Sequence, residues 1–223
     1  MQKIISKSIA DIFSPMILSF IFKVGFGSIL LWIVLLWVSW DLYSTMIASY
    51  IAKIPFVGGW EWLQSSGTVV VALIVGYMLI IITISIATSI FSEPILKALS
   101  KKHYPHIDIV GSPNIATSIY LSLKAGVLFL LLFLFTFPLI FVPIVGQVWM
   151  LWLWSILIKE PNSYDVGSLF VSDRATLEKD SKNSTVIAMI ASLFNYVPIV
   201  NMFAPLFGQI LFLHKILDRV RDS

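Results

Sequence analysis

Four long segments of this 223-residue chain contain no charged residue, and they decide what the chain can fold into. They cover residues 24–40, 65–92, 125–158 and 183–213. A bilayer core about 30 Å thick needs roughly 20 apolar helical residues to span it. In the whole chain 58% of residues are hydrophobic and 12% are charged, whereas soluble domains hold about 45–50% and about 25%. The sequence therefore predicts an all-α integral membrane protein, with residues 1–223 in a single membrane domain.

The first two segments each predict one long transmembrane helix. The first reaches spanning length when residues 20–22 are added, which places Lys23 at the membrane edge or against protein. The second is long enough by itself. Two long transmembrane helices are therefore expected in the first half of the chain.

The third and fourth segments are interrupted by helix breakers. Both contain the letters Val-Pro-Ile-Val, followed by Gly146 in the third segment and by Asn201 in the fourth. A proline inside a helix costs about 3 kcal/mol, so each cluster of breakers predicts a turn. The arms beside the turns are residues 125–137, 148–158, 184–197 and 207–213, the last extended by the residues after it. Because these arms are short of a full crossing at 1.5 Å per residue, we predict two half-crossing re-entrant helical hairpins. The alternative is complete paired spans, with the first arm beginning at Ile115.

Two further segments lie outside the apolar runs. Residues 2–14 predict an amphipathic N-terminal helix that lies on the membrane surface or packs its apolar face on the protein. That face holds Ile4, Ile5, Ile9, Ile12 and Phe13, and the opposite face holds Lys3, Lys7 and Asp11. Residues 159–182 predict a polar cytoplasmic linker with a short helix capped by Ser172 or Asp173.

The basic residues orient the chain. If both hairpins return to the side on which they start, every lysine and arginine except Lys53 lies on one side. The positive-inside rule makes that side cytoplasmic, so we expect a multi-pass inner (plasma) membrane protein with cytoplasmic N- and C-termini. The net charge of +3 is too small to indicate a nucleic-acid partner. Membrane lipids are the expected partners, and a homo-oligomer would cover the bilayer depth beneath the hairpins.

Several stretches resemble the CysZ-type sulfate permeases, which are grouped with eukaryotic etoposide-induced-protein-like membrane proteins. "FSPMILSFIFKVGFGSILL" is similar to the family's proline-containing start of the first long helix, and "ISIATSIFSEPILKAL" to the end of the second. "FVPIVGQ" and "FNYVPIVNMFAP" resemble the family's two hairpin turns. The resemblance implies two long transmembrane helices, two half-crossing hairpins and a permease or channel for a small inorganic oxyanion such as sulfate.

The chain departs from the sulfate-permease pattern at two places. The family's arginine pair after the first proline is replaced here by Leu18 and Ser19. The aromatic-acid-proline segment after the first hairpin is replaced by "KEPNSYDV". These departures keep open a second interpretation, which is a non-transporting membrane scaffold or envelope-maintenance protein that binds lipids or partner proteins.

Candidate substrate-binding residues lie where helices begin, because helix N-termini attract anions. Two such ends are expected after the hairpin turns, and another at Pro15, where the arginine pair is missing. The polar groups there either line a pathway or hold helices together, and Ser14 and Lys23 also fit an N-cap and a membrane-edge lysine. The candidates are Ser14, Ser19, Lys23, Gly146, Gln147, Asn201 and Gln209.

The sequence predicts no enzyme, no cofactor and no metal site. It contains no Ser/His/Asp set, no HExxH motif and no P-loop, so transport would be passive, ion-coupled or driven by a partner. The absence of cysteine excludes disulfides and thiolate metal sites. His103 and His106, with Asp108, are the nearest approach to a metal motif, but their spacing in a basic loop predicts poor ligand geometry.

Overall fold

The computed structural model describes residues 1–53, 59–197 and 199–222. This part of the chain is helical and contains no strand, which confirms the all-α prediction. Its α-helices are α1 (Gln2–Ile12), α2 (Pro15–Val38), α3 (Trp40–Ile51), α4 (Glu61–Phe91), α5 (Glu93–His103), α6 (Ile115–Thr136), α7 (Val145–Gly167), α8 (Arg174–Lys182), α9 (Thr185–Ser192) and α10 (Ala204–Asp222). Short 3-10 helices follow α6 (Phe137–Phe141) and α9 (Leu193–Tyr196) and precede α10 (Val200–Phe203).

Three segments of the described chain are long and apolar enough to cross a membrane by length and composition. They are Pro15–Val38, Ile115–Phe133 and Val200–Arg221. A fourth is reached if Leu79–Phe91 and Glu93–His103, which are bent by 57° at the break between them, count as one span. These helices support a multi-pass membrane protein.

The chain divides into two compact units, of which the smaller is Phe22–Ile86. Within it, Trp32 Nε1 on α2 donates a hydrogen bond to Thr83 Oγ1 on α4 (2.8 Å). The two helices also approach closely at Gly76, where an added Cβ would lie 3.2 Å from Leu36 Cδ1. The contact between α2 and α4 therefore depends on a small residue and one indole hydrogen bond.

The larger unit joins Met1–Ile21 to Ala87–Ser223, and its core is built around α10. The residues of α10 from Leu206 to Leu213 are all buried. Apart from Gln209, this helix is apolar on every face over that stretch, which is the pattern of a helix surrounded by other helices. Helices α1, α7 and α9 pack around it. The prediction of a single membrane domain stays a prediction.

The N-terminal helix packs on this core. Ile12 is buried, and Ile4 and Ile5 are partly buried against the core, which agrees with the packing alternative. The assignment of Asp11 to the solvent face was wrong, because Asp11 is 1% exposed. The helix is turned so that Asp11 points inward, and Phe13 at its end is exposed.

The first hairpin has longer arms than the sequence predicts. Helix α6 begins at Ile115, because Asn114 Oδ1 accepts a hydrogen bond from the N–H of Thr117 (3.2 Å). Lys124, which the prediction placed at the edge of the arm, lies inside the helix and pairs with Glu160 on α7 (2.8 Å). This matches the first arm of the complete-span alternative. The half-crossing of the hairpins stays a prediction.

The predicted linker is helical over much of its length. Helix α7 continues to Gly167 with Pro161 inside it, so the first part of residues 159–182 belongs to the hairpin arm. The short helix predicted in the remainder is confirmed as α8. The side chain of its N-cap, Asp173, accepts hydrogen bonds from the N–H groups of Ala175 and Thr176.

Candidate functional site

The tips of the two hairpins adopt the same tight turn. Ile144 has φ 65° and ψ −56°, and Ile199 has φ 70° and ψ −46°. Positive φ is rare for a β-branched residue, so both tips hold backbone strain. In the first tip the N–H of Val145 donates to the carbonyl oxygen of Pro143 (2.7 Å), which is the hydrogen bond of a γ-turn. Pro198, at the matching place in the second tip, lies outside the described residues.

The anion prediction rests on free backbone N–H groups at the starts of the helices. The turns already use several of these groups in hydrogen bonds. The N–H of Gly146 donates to the carbonyl oxygen of Val142 (2.8 Å), and that of Asn201 donates to Val197 (3.0 Å). Gly146 is itself buried against the backbone of the preceding 3-10 helix. Gln147 is exposed, so a solute approaching the first tip meets this side chain.

The two tips lie against each other. The hydroxyl of Tyr196 in the second hairpin donates a hydrogen bond to the carbonyl oxygen of Gln147 in the first (2.6 Å). The Tyr196 ring also packs edge-on against Trp154, with ring centroids 4.8 Å apart. Within the first hairpin, Trp149 Nε1 donates to Thr136 Oγ1 (2.8 Å) and ties the two arms together. The repeated turn thus produces two linked tips, with Gln147 at their contact.

Gln209 lies deeper, on α10. Its side chain is 1% exposed, and its Oε1 atom has no hydrogen-bond partner among the described residues. A buried polar atom without a partner costs about 1–3 kcal/mol, and it is typical of a place where a water or a solute binds. Because an amide can flip, this position can present either an oxygen or an NH2 group. Asn201, near the tip, is also buried.

The start of α2 holds the other predicted candidates. The helix begins at Pro15 as expected, with Ser14 before it. The Ser14 hydroxyl is buried and has no hydrogen-bond partner among the described residues, so it does not act as the predicted N-cap. Ser19 is exposed. Lys23 is also exposed and belongs to the smaller unit.

The most polar buried cluster was missed by the sequence analysis. The carboxylate of Asp11 on α1 accepts hydrogen bonds from Lys102 Nζ (3.0 Å) and His103 Nε2 (2.9 Å) at the end of α5. Its second oxygen lies 2.9 Å from Nε2 of His214 on α10, which is fully buried. His106 and Asp108 are exposed and take no part. Two features of the sequence could have indicated this cluster. His214 directly follows the fourth uncharged segment, and Asp11 lies beside the apolar Ile12.

A second layer of hydrogen bonds surrounds this cluster. Tyr104 donates its hydroxyl proton to Asp218 Oδ1 (2.9 Å), and the same hydroxyl lies 3.1 Å from His214 Nδ1. Burial, then the hydrogen bond to Asp218, raises the pKa of Tyr104, so its proton stays in place. Burial alone raises the pKa of Asp11, but hydrogen bonds from His214, His103 and Lys102 outweigh it and hold this pKa well below the usual range. Asp11 is therefore a charged carboxylate at neutral pH.

A second buried carboxylate lies in the polar half of α7, beyond the apolar arm. Asp165 is 3% exposed and accepts hydrogen bonds from the hydroxyls of Ser89 and Ser118, both at 2.5 Å. Burial raises the pKa of this carboxyl above its usual value, although the two serine hydrogen bonds oppose the shift. Among the described residues, the donors to this carboxylate are the two neutral serine hydroxyls, so its charge is poorly compensated.

Replacing Asp165 with asparagine is expected to stabilise the protein at neutral pH. A carboxyl whose pKa is raised in the folded state makes folding less favourable as pH rises above the unfolded value near 3.8. A tenfold difference in the proton affinity of this carboxyl between the folded and unfolded states corresponds to about 1.4 kcal/mol. The stability of Asp165→Asn relative to the parent should therefore grow as pH rises above 3.8 and level off once the pH exceeds the raised pKa of Asp165. Unfolding by dodecyl sulfate in mixed micelles at several pH values measures it, and a pH-independent difference would contradict the assignment.

Comparison with known proteins identifies the family. Residues 4–205 match the family described as "Sulfate transporter CysZ/Etoposide-induced protein 2.4". The match covers most of the chain, so the chain belongs to this family. A search of curated proteins and a search of solved structures each gave no match.

Proposed function

We propose that this member of the sulfate transporter CysZ/etoposide-induced protein 2.4 family is an inner-membrane permease or channel for a small inorganic oxyanion such as sulfate. The observation that carries the proposal is the family match over residues 4–205. Three or four helices that are long and apolar enough to cross a membrane agree with a transport function. The N- and C-termini and the basic loops are proposed to be cytoplasmic.

The start of α2 is proposed as the place of anion capture. Its first turn points backbone N–H groups and the positive end of the helix dipole at an approaching anion. The buried Ser14 hydroxyl, which has no partner among the described residues, can add one more donor. Ser19 supplies an exposed hydroxyl farther along the helix. From there the anion is proposed to pass beside the hairpins, near Gln147, Asn201 and Gln209, with Gly146 shaping the tip.

Sulfate flux into reconstituted vesicles tests this function. We expect uptake above that of empty liposomes, with competition by selenate. Ser14→Ala removes one donor and is expected to lower uptake about fivefold, since a hydrogen bond contributes about 1 kcal/mol. Ser6→Ala, on the exposed side of α1, is the matched control and should leave uptake unchanged. No uptake by folded protein would overturn the proposal.

The departure from the arginine pair supports a second candidate function. If Leu18 and Ser19 mark a loss of oxyanion binding, the same fold serves as a membrane scaffold that binds lipids or partner proteins. The paired variant Leu18→Arg with Ser19→Arg separates the two functions. A gain of sulfate uptake over an active parent supports the permease, and uptake that appears only in the variant supports the scaffold.

We also propose that the protein is a homo-oligomer. Most residues in the apolar windows of Pro15–Val38 and Ile115–Phe133 are not buried in the single chain. Lipid or a second copy must cover them. Light scattering in mild detergent that shows only monomer would count against this proposal.

A further inference from the structure

We propose that Asp11, His103 and His214 form a binding site for a transition-metal dication of the zinc type. The three side chains come from α1, the end of α5 and α10, and their ligand atoms all lie within 4.8 Å of one another. Tetrahedral ligands about 2.0 Å from zinc are roughly 3.3 Å apart, so small side-chain rotations bring these atoms to binding distance. Two imidazoles and one carboxylate are a ligand set that zinc uses, with a water in the fourth position.

The hydrogen bonds of His214 leave its Nε2 atom facing the carboxylate of Asp11. Because Tyr104 donates its proton to Asp218, the tyrosine oxygen accepts from the N–H at His214 Nδ1. In the neutral imidazole this leaves a lone pair at Nε2, which faces Asp11 Oδ2 at 2.9 Å. Two acceptors at this distance need a positive species between them: with a proton on Nε2, His214 donates to Asp11, and a metal ion can take the place of that proton. A bound proton or a metal ion meets that need, and a metal ion also engages His103.

The surroundings match those of histidines that bind metals. Such a histidine normally donates its other ring N–H to an oxygen, which fixes the tautomer and raises its basicity as a ligand. His214 has this arrangement, because its Nδ1 side faces Tyr104, and Tyr104 is held by Asp218. His214 is fully buried and His103 is only partly exposed, so few water molecules compete for the ion.

Nitrogen ligands select the metal class. Mg²⁺ and Ca²⁺ prefer oxygen ligands, whereas imidazole suits zinc, copper, nickel and iron. Lys102 is the competitor, because its ammonium lies 3.0 Å from Asp11 Oδ1 and occupies the carboxylate when no metal is bound. Its side chain is 59% exposed and can turn outward into solvent. Metal binding therefore replaces one mobile positive charge with an ion that fastens three helices together.

Zinc binding by the full-length protein in detergent, without a histidine tag and after treatment with a chelator, tests the site. Titration against a chromophoric zinc indicator should give one ion per chain, and Co²⁺ should produce the absorption of a tetrahedral complex. Zn²⁺ should also raise the unfolding temperature, whereas Mg²⁺ should not. None of these measurements depends on transport. A negative result for zinc binding is therefore distinguishable from a negative result for sulfate flux.

His103→Gln is the main variant, because His103 lies at the edge of the cluster and its loss should leave the fold intact. We expect its zinc affinity to fall about tenfold or more. His106→Gln, at an exposed position in the loop just after α5, is the matched control and should keep the parent affinity. Lys102→Met should raise the affinity about tenfold by removing a positive charge beside the ion. Absence of zinc binding by folded parent protein, or equal affinity in His103→Gln, would overturn the proposal.

Discussion

Replacing Gly146 with alanine is expected to destabilise the first hairpin by about 3 kcal/mol, at the upper end of what overpacking costs. An added Cβ would lie 2.4 Å from the carbonyl oxygen of Ile140 and 2.6 Å from that of Leu139. Both atoms belong to the backbone of the 3-10 helix before the tip, so no side-chain rotation can relieve the clash. The turn at Ile144 is already strained, which leaves little freedom to adjust.

Unfolding by dodecyl sulfate in mixed micelles, followed by tryptophan fluorescence, measures this loss. Gly126→Ala is the matched control, because Gly126 also lies in the first hairpin but an added Cβ there meets no atom within 4 Å. Its stability should stay within about 1 kcal/mol of the parent or rise slightly. If Gly146→Ala unfolds at the same detergent fraction as Gly126→Ala, the close approach at the tip is wrong.

The features that the sequence predicts well are those set by local patterns. Long uncharged runs predict helices at membrane length, and α2 and α4 lie where the first two runs place them. The repeated Val-Pro-Ile-Val letters predict two turns, and the structure shows the same backbone shape at Ile144 and Ile199. A proline and its neighbours restrict backbone angles over only a few residues, so this prediction needs no knowledge of the rest of the fold.

The lengths of the hairpin arms could not be predicted in this way. From the sequence alone, Lys124 marks the end of an apolar arm. In the structure its charge is compensated by Glu160, which lies 36 residues farther along the chain. The polar residues after Ile158 read as a linker, although several of them, such as Asp165, are buried by contacts with other helices. Hydropathy reports how a residue interacts with solvent, and it cannot report an ion pair or a buried hydrogen bond that only the fold creates.

The buried histidine cluster is the clearest case of this limit. Asp11 and His214 are separated by 203 residues along the chain. On a helical wheel Asp11 falls with Lys3 and Lys7, which favours a solvent-facing position. The packing of α1 on α10 reverses that assignment, because the inward-facing side of α1 includes the carboxylate. The sequence therefore supplied the residue types, and the topology supplied the site.

Replacing Asp11 with alanine is expected to destabilise the folded protein by about 3–5 kcal/mol, which is the range for breaking a buried ion pair by removing one partner. The substitution leaves fully buried His214 without its acceptor and leaves His103 and Lys102 without theirs.

Unfolding should be measured in excess chelator, so that loss of a bound metal ion does not contribute. Asp108→Ala, at an exposed position near the same cluster in sequence, should change stability by no more than about 0.5 kcal/mol. Equal stabilities of the two variants would mean that water solvates Asp11, and would contradict its burial between α1, α5 and α10. A large loss confined to Asp11→Ala would instead show that this one carboxylate holds the N-terminal helix to the core.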